Sequence, residues 1–187
     1  MSIPLNRPGW PLLLSQFLAG VSGRIGGGKP PPGGMKRQIP ESEYNTLMEL
    51  YLRTDGPSWS HNSGWLDPLA PSWYGVTVSG GHVTGLDLSD NRLKGNIPES
   101  LLKLTHLQVL SFHHNQLTGN IPDSLGRIVS LQYLFLHCNH LSGKIPSNLG
   151  DLPSLQYLRL DGNRFAGNLP ANLGYLKCSP LFQQPKG

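Results

Sequence analysis

Apolar and polar positions along this chain repeat with a period of 24 residues. Each copy opens with alternating apolar and polar positions, which predicts a short strand with one buried face. A fixed period in this range is typical of a stacked solenoid, so we expect the opening strands to lie side by side in one parallel sheet. Four copies follow one another without insertion, at residues 83–106, 107–130, 131–154 and 155–178.

Three kinds of residue recur after each predicted strand. A buried asparagine can bond the backbone of its own turn and of the neighbouring turn, because its amide both donates and accepts hydrogen bonds. Glycine permits a tight bend, and proline prevents the chain from continuing as a strand or a long helix. These residues are Asn91, Asn115, Asn139 and Asn163, then Gly95, Gly119, Gly143 and Gly167, then Pro98, Pro122, Pro146 and Pro170.

The consensus LxxLxLxxNxLxGxIPxxLGxL resembles the plant-type leucine-rich repeat. The mark of that subclass, L-[TS]-G-x-I-P, stands at residues 117–122 and 141–146. The resemblance implies an α/β leucine-rich-repeat solenoid of right-handed sense, with short parallel strands on a concave face and 3₁₀ or irregular turns on the convex side. It extends to the ectodomains of receptor-like kinases and to polygalacturonase-inhibitor-like proteins, which implies recognition rather than catalysis.

Residues 41–82 are expected to cover the open apolar end of the first repeat. Apolar spacing over residues 41–53 predicts an amphipathic helix, which the following Asp-Gly-Pro sequence ends. The pattern LYxxTDGPxW…WYGVT resembles the N-terminal cap of plant-type leucine-rich repeats. That cap usually has two cysteines where this chain has Pro71 and Val78. We therefore expect a cap held by aromatic packing, with a core formed by Trp59, Trp65 and Trp73.

Residues 1–40 are rich in glycine and proline and show no period. The apolar run at residues 10–21 can be interpreted as a cleaved secretory signal or as part of an organellar transit segment. The alternative is a disordered tail or an inaccurate gene start. The run is too short and too interrupted to span a bilayer. Residues 179–187 hold no complete fifth repeat. Either they fold over the open C-terminal edge, or the chain is a fragment of a longer array whose edge associates with further repeats or another chain.

Charge and cysteine content narrow the classes of function. Residues 1–40 carry five basic side chains and no acidic one, so the rest of the chain has a net charge of −1. This argues against a solenoid that binds nucleic acid. Cys138 and Cys178 are not expected to pair, and the chain has no N-x-[ST] sequon. The compartment therefore stays open: the apolar run favours secretion, whereas the lack of disulfides and sequons favours the cell interior.

No motif for catalysis or for a cofactor is present. No glycine-rich phosphate loop opens a helix, no serine stands in a nucleophile elbow, and the carboxylates are scattered. We therefore expect a non-enzymatic recognition module, with a structural or scaffolding fragment as the alternative.

The variable strand positions predict a partner-binding surface on the concave face. Aromatic side chains beside an arginine are typical of interface hot spots. We expect a protein or peptide ligand, or a glycan, in signalling or defence. The predicted surface consists of Gln108, Val109, Ser111, His113, Gln132, Tyr133, Phe135, His137, Gln156, Tyr157, Arg159 and Asp161.

A narrower hypothesis places a metal in one row of this surface. Because parallel strands lie about 4.8 Å apart, His113, His137 and Asp161 are expected to line up across three copies. Imidazole and carboxylate ligands at that spacing suit Zn²⁺. Exposed histidines at variable positions also arise by drift, so an ordinary surface is the favoured interpretation. The remaining histidines are interpreted as surface residues without partners: His61, His82, His106 and His140.

Overall fold

The computed structural model describes residues 39–67 and 72–175. The predictions for the apolar run at residues 10–21, for Cys178 and for the C-terminal edge lie outside the described residues, as does Pro71. The fold below is that of the cap and the repeats.

Helix α1 (Glu41–Arg53) follows Pro40 and carries two acidic residues in its first turn and Arg53 in its last. Both placements complement the helix dipole. The helix buries one face, which includes Leu47, Leu50 and Tyr51. The predicted amphipathic helix is therefore confirmed. The chain leaves it through a left-handed Asp55 and a short 3₁₀ turn, Gly56–Ser58.

An aromatic cluster forms the core of the cap. The Tyr51 ring lies 5.1 Å from the ring of Trp59 and 5.9 Å from that of Trp65. The indole N–H of Trp59 donates to the Thr54 carbonyl at 2.8 Å, so its polar atom is satisfied inside the core. All three predicted tryptophans are buried, including Trp73 at 6% exposure. The expectation of a cap core built from them is confirmed.

One sheet of five strands runs through the repeats. In their order across the sheet, the strands are β1 (Val76–Ser79), β2 (His82–Asp87), β4 (Val109–Ser111), β6 (Tyr133–Phe135) and β8 (Tyr157–Arg159). The last four strands are parallel, as predicted, and each pairs with the next at positions one repeat apart. Strand β1 lies antiparallel to β2 and was not predicted.

The return path of each repeat contains a shorter strand and a 3₁₀ segment. Two small parallel pairs form there, β3 (Lys94–Asn96) with β5 (Gln116–Thr118) and β7 (Ser142–Gly143) with β9 (Arg164–Phe165). A 3₁₀ segment follows the repeated proline in every copy, which confirms the expected turns. These segments are Glu99–Lys103, Asp123–Arg127, Ser147–Asp151 and Ala171–Tyr175.

Apolar columns fill the space between the sheet and the 3₁₀ segments. Corresponding leucines of successive copies stack, and each is at most 2% exposed. Full burial of a leucine contributes about 1.5–3 kcal/mol, so each column stabilises the stack of repeats. Their members are Leu86, Leu110, Leu134 and Leu158, then Leu88, Phe112, Leu136 and Leu160, then Leu101, Leu125, Leu149 and Leu173.

The repeated asparagines form a ladder of hydrogen bonds between turns. Asn139 accepts the backbone N–H of Leu117 at 3.0 Å and donates to the carbonyls of Phe112 at 2.9 Å and Leu136 at 3.1 Å. The asparagine thus satisfies buried backbone groups of its own copy and of the preceding one, as predicted. Asn91 makes the equivalent pair of bonds to the backbone of His61, which joins the cap to the first repeat.

The ladder predicts a large cost for removing one amide. Asn139→Ala leaves the buried Leu117 N–H without its partner, whereas the two carbonyls keep the amides of Asn115 and Asn163 as donors. We expect a loss of about 1–3 kcal/mol in the free energy of unfolding, the cost of one unsatisfied buried donor. The control is Asn120→Ala, which removes an exposed asparagine side chain from the preceding copy. It should change the free energy of unfolding by less than about 0.5 kcal/mol. Urea denaturation measures both. Equal stability of the two variants would contradict the structural role of the ladder.

Candidate functional site

Parallel pairing places the variable side chains in straight rows across the concave face. We use that name for the outward side chains of β4, β6 and β8 and of the residues next to them. Val109, Tyr133 and Tyr157 are partners in register in one row. Ser111, Phe135 and Arg159 form the next. Neighbours in a row therefore come from positions 24 residues apart in sequence.

The aromatic side chains of this face contact one another. The rings of Tyr133 and Tyr157 stack at 5.2 Å with an interplanar angle of 7°. Phe135 lies 6.3 Å from Tyr133 in a tilted arrangement. Tyr157 remains 42% exposed, which is high for a large aromatic side chain. The result is a fixed aromatic surface with one side open to solvent.

A histidine cluster adjoins the aromatic rings. His113 and His137 stack at 4.5 Å with an interplanar angle of 5°, and His114 meets His137 edge-on at 5.5 Å. The expectation that these histidines are exposed is wrong for His137, which is 7% exposed. Phe135 and the two neighbouring imidazoles cover its ring. Ser111, another predicted surface residue, is also buried, and its hydroxyl hydrogen-bonds Nδ1 of His113 at 2.9 Å.

Two imidazoles of the cluster favour the neutral form. Burial, followed by the positive charge of Arg159, lowers the pKa of His137 from 6.5 to about 4. Burial also lowers the pKa of His113. Nδ1 of His137 has no hydrogen-bond partner among the described residues, so no acceptor at that nitrogen stabilises the protonated ring.

Arg159 and Asp161 form a bidentate ion pair at the edge of this cluster. Nε of Arg159 donates to Oδ1 of Asp161 at 3.1 Å, and Nη2 donates to Oδ2 at 2.9 Å. Partial burial alone would raise the pKa of Asp161, but the hydrogen bonds and charge of Arg159 lower it overall. Both carboxylate oxygens are therefore engaged by the guanidinium.

The structure does not assemble the hypothetical zinc row. Asp161 turns to Arg159, and the histidines stack face to face. In the part of the chain that is described, the one set of three ligating side chains with donor atoms within 4.8 Å of one another lies elsewhere.

A shallow depression of about 360 Å³ opens on the concave face beside the exposed tyrosine. Ten of the twelve predicted surface residues reach solvent, and Gln108 and Gln156 are among the exposed ones. The depression combines apolar ring faces with imidazole and guanidinium edges. Its lining consists of His113, Phe135, His137, Tyr157, Leu158 and Arg159.

A turn follows the main strand of each repeat. Asp90, His114, Cys138 and Gly162 occupy equivalent positions, and all four have positive φ angles between 52° and 66°. The left-handed conformation carries these side chains out of the strand alternation. Cys138 is a free cysteine at this turn and is half-buried.

One cluster was missed by sequence reasoning. His82 and His106 are not partnerless surface residues, because their rings stack at 3.9 Å. His82 Nδ1 also lies 2.8 Å from Oε1 of Glu43 on α1. The signal was available in the sequence: the two histidines stand 24 residues apart, which is one repeat.

The repeats match a known family in sequence. A sequence model described as leucine rich repeat matches residues 81–141 and 122–165. No curated protein matches the chain significantly. No helix in the described ranges has the length and apolar character needed to cross a membrane.

Solved structures of plant receptors share this fold. The BIR2 ectodomain from Arabidopsis thaliana is 32% identical, with a TM-score of 0.61, over 73% of this chain and 77% of that chain. The ectodomain of GASSHO1/SCHENGEN3 from Arabidopsis thaliana, solved with CASPARIAN STRIP INTEGRITY FACTOR 2, is 31% identical, with a TM-score of 0.66, over 73% of this chain and 17% of that chain. The Arabidopsis receptor kinase HAESA was solved with the peptide hormone IDA and the co-receptor SERK1. It is 28% identical, with a TM-score of 0.52, over 73% of this chain and 28% of that chain. This chain thus spans less than a third of the latter two receptor chains.

The buried His137 predicts a specific dependence of stability on pH. Between pH 6.5 and about 4 the unfolded chain protonates this histidine while the folded chain keeps it neutral. The free energy of unfolding therefore falls as the pH is lowered through this window. Near the middle of this window the wild type takes up about one proton at His137 when it unfolds. His137→Gln lacks this uptake, so its free energy of unfolding should fall less steeply as the pH is lowered.

Urea denaturation at a series of pH values measures this effect. The control is His140→Gln at a solvent-exposed histidine, which should keep the wild-type pH dependence. A fall of the same steepness in His137→Gln and in the wild type would contradict the assignment.

Proposed function

This chain belongs to the plant-type leucine-rich-repeat family, and from that premise we propose that it is a recognition module that binds a peptide on its concave face. The proposed mode of action is binding without catalysis. The observation that carries the proposal is the stacked Tyr133–Tyr157 pair, in which Tyr133 is half-buried and Tyr157 is exposed.

Contact between aromatic rings on a sheet and water is unfavourable, and a bound ligand would remove this contact. Solvated apolar surface in a contiguous patch marks interaction sites. Because Tyr133 and Tyr157 already stack on each other, little side-chain entropy is lost when a ligand packs on them. Tyrosine also offers a hydroxyl at the rim of the contact, which suits it to interfaces.

The charges of the face favour a peptide with an apolar or aromatic anchor. The guanidinium of Arg159 is held by both oxygens of Asp161, so the pair presents little net charge to a ligand. His113 and His137 beside the pair are neutral at pH 7, since the pKa of His137 is about 4 and that of His113 is also lowered. The depression therefore suits a ring or branched side chain better than a phosphate or a carboxylate.

A column of glutamines beside the aromatic rows suits the backbone of an extended peptide. Gln108, Gln132 and Gln156 occupy equivalent positions in successive copies. Each amide can donate and accept, as a peptide backbone requires. The neighbours support this choice of ligand class, since HAESA was solved with a peptide hormone.

The proposal predicts that loss of one tyrosine weakens peptide binding. Peptides are selected from a random displayed library on the wild-type chain, and their affinities are then measured by fluorescence anisotropy. Tyr157→Ala should weaken binding about 10- to 30-fold, the effect of losing a hot-spot aromatic.

Tyr74→Ala is the matched control. Tyr74 lies in the cap, is 38% exposed, and stacks on His61 at 5.0 Å, so it resembles Tyr157 in type, exposure and ring contact. This variant should bind within about twofold of the wild type. If the selected peptides bind a folded Tyr157→Ala as tightly as the wild type, the concave face is not the recognition surface.

A further inference from the structure

A second cluster of ligating side chains lies where the cap meets the repeats, away from the concave aromatic rows. Glu43 comes from helix α1, His82 begins β2, and His106 precedes β4. One donor atom from each side chain lies within 4.8 Å of the other two. Three elements that are distant in sequence thus place two imidazoles and one carboxylate together.

The carboxylate is fixed in place. Glu43 is 2% exposed, and a buried carboxylate requires strong partners. Its Oε2 accepts the backbone N–H of Val83 at 2.8 Å, and its Oε1 lies 2.8 Å from Nδ1 of His82. An oxygen donor held in this way loses little entropy when it binds a cation.

The two imidazoles are close and accessible. Their rings lie 3.9 Å apart with an interplanar angle of 20°. His106 is exposed and the side chain of His82 is 35% exposed. A ring nitrogen of each imidazole can ligate a metal ion, so two rings at this distance can share one cation.

We propose that Glu43, His82 and His106 form a binding site for a divalent transition-metal ion of the Zn²⁺ class. Two histidines and one carboxylate are a recognised ligand set for Zn²⁺, with bonds of about 2.0–2.2 Å. Tetrahedral bonds of that length separate donor atoms by about 3.4 Å. Since the three donor atoms lie within 4.8 Å of one another, no pair has to close by more than about 1.4 Å on metal binding. Imidazole donors favour Zn²⁺ over Mg²⁺ and Ca²⁺.

The ion would link the cap to the first repeat. The cap already contacts this repeat through the Glu43–Val83 hydrogen bond of α1 and, away from the helix, through the two bonds between His61 and Asn91. A metal bridge joins α1, β2 and the segment before β4 in one linkage. Because the unfolded chain does not hold the three donors together, binding stabilises the folded state.

Zinc titration of the full chain tests the site by isothermal calorimetry. The wild type is expected to bind one equivalent of Zn²⁺ and to gain thermal stability, with no response to Mg²⁺. His82→Gln and His106→Gln should each lose at least about tenfold in Zn²⁺ affinity, and their unfolding temperatures should no longer respond to Zn²⁺. His140→Gln, at another exposed histidine, should behave as the wild type.

Two results overturn the proposal: a wild type that binds no stoichiometric Zn²⁺, or a His106→Gln variant that binds it with wild-type affinity. Glu43→Gln tests the carboxylate, and wild-type affinity in that variant would also overturn the site. If Glu43→Gln does not fold, because its buried contacts are lost, the two histidine variants decide, since their side chains reach solvent.

Discussion

The asparagine amide that bridges successive turns is the interaction on which the rest of the structure depends. In each copy it satisfies backbone groups of two neighbouring turns that the leucine columns bury away from water. Without it, burial of those columns would leave polar backbone groups unpaired, at a cost of about 1–3 kcal/mol each. The equivalent side-chain amide of Asn91 hydrogen-bonds the backbone of His61. The cap is therefore attached by the same kind of hydrogen bond that joins the repeats.

This ladder fixes the register, and the register decides which variable side chains meet. Residues one repeat apart face each other across neighbouring strands. Identical residue types at such positions therefore stack, as Tyr133 does on Tyr157 and His113 on His137. The leucine columns and the asparagine ladder hold the strands in place, and the side chains at variable positions determine what the surface can bind. A new recognition surface therefore needs only changes that leave the columns and the ladder intact.

The period of 24 residues carried the prediction of the fold. It located the parallel strands, the asparagine ladder and the 3₁₀ turns, because those features repeat. The antiparallel strand β1 occurs once and left no periodic signal. The Arg159–Asp161 pair and the burial of His137 depend on side-chain conformations that register alone does not determine. The contact between His82 and His106 was not predicted, because the first copy of the period begins at residue 83 and therefore leaves His82 out. Strand β2 nevertheless begins at His82.

The most direct test of the recognition account is a crystal structure of the chain with a peptide selected on the wild type. The account predicts that the peptide lies across β4, β6 and β8, with an apolar or aromatic side chain against Tyr157 in the depression of the concave face. A peptide seated on helix α1 or on the 3₁₀ segments, with the tyrosine pair still open to solvent, would contradict it.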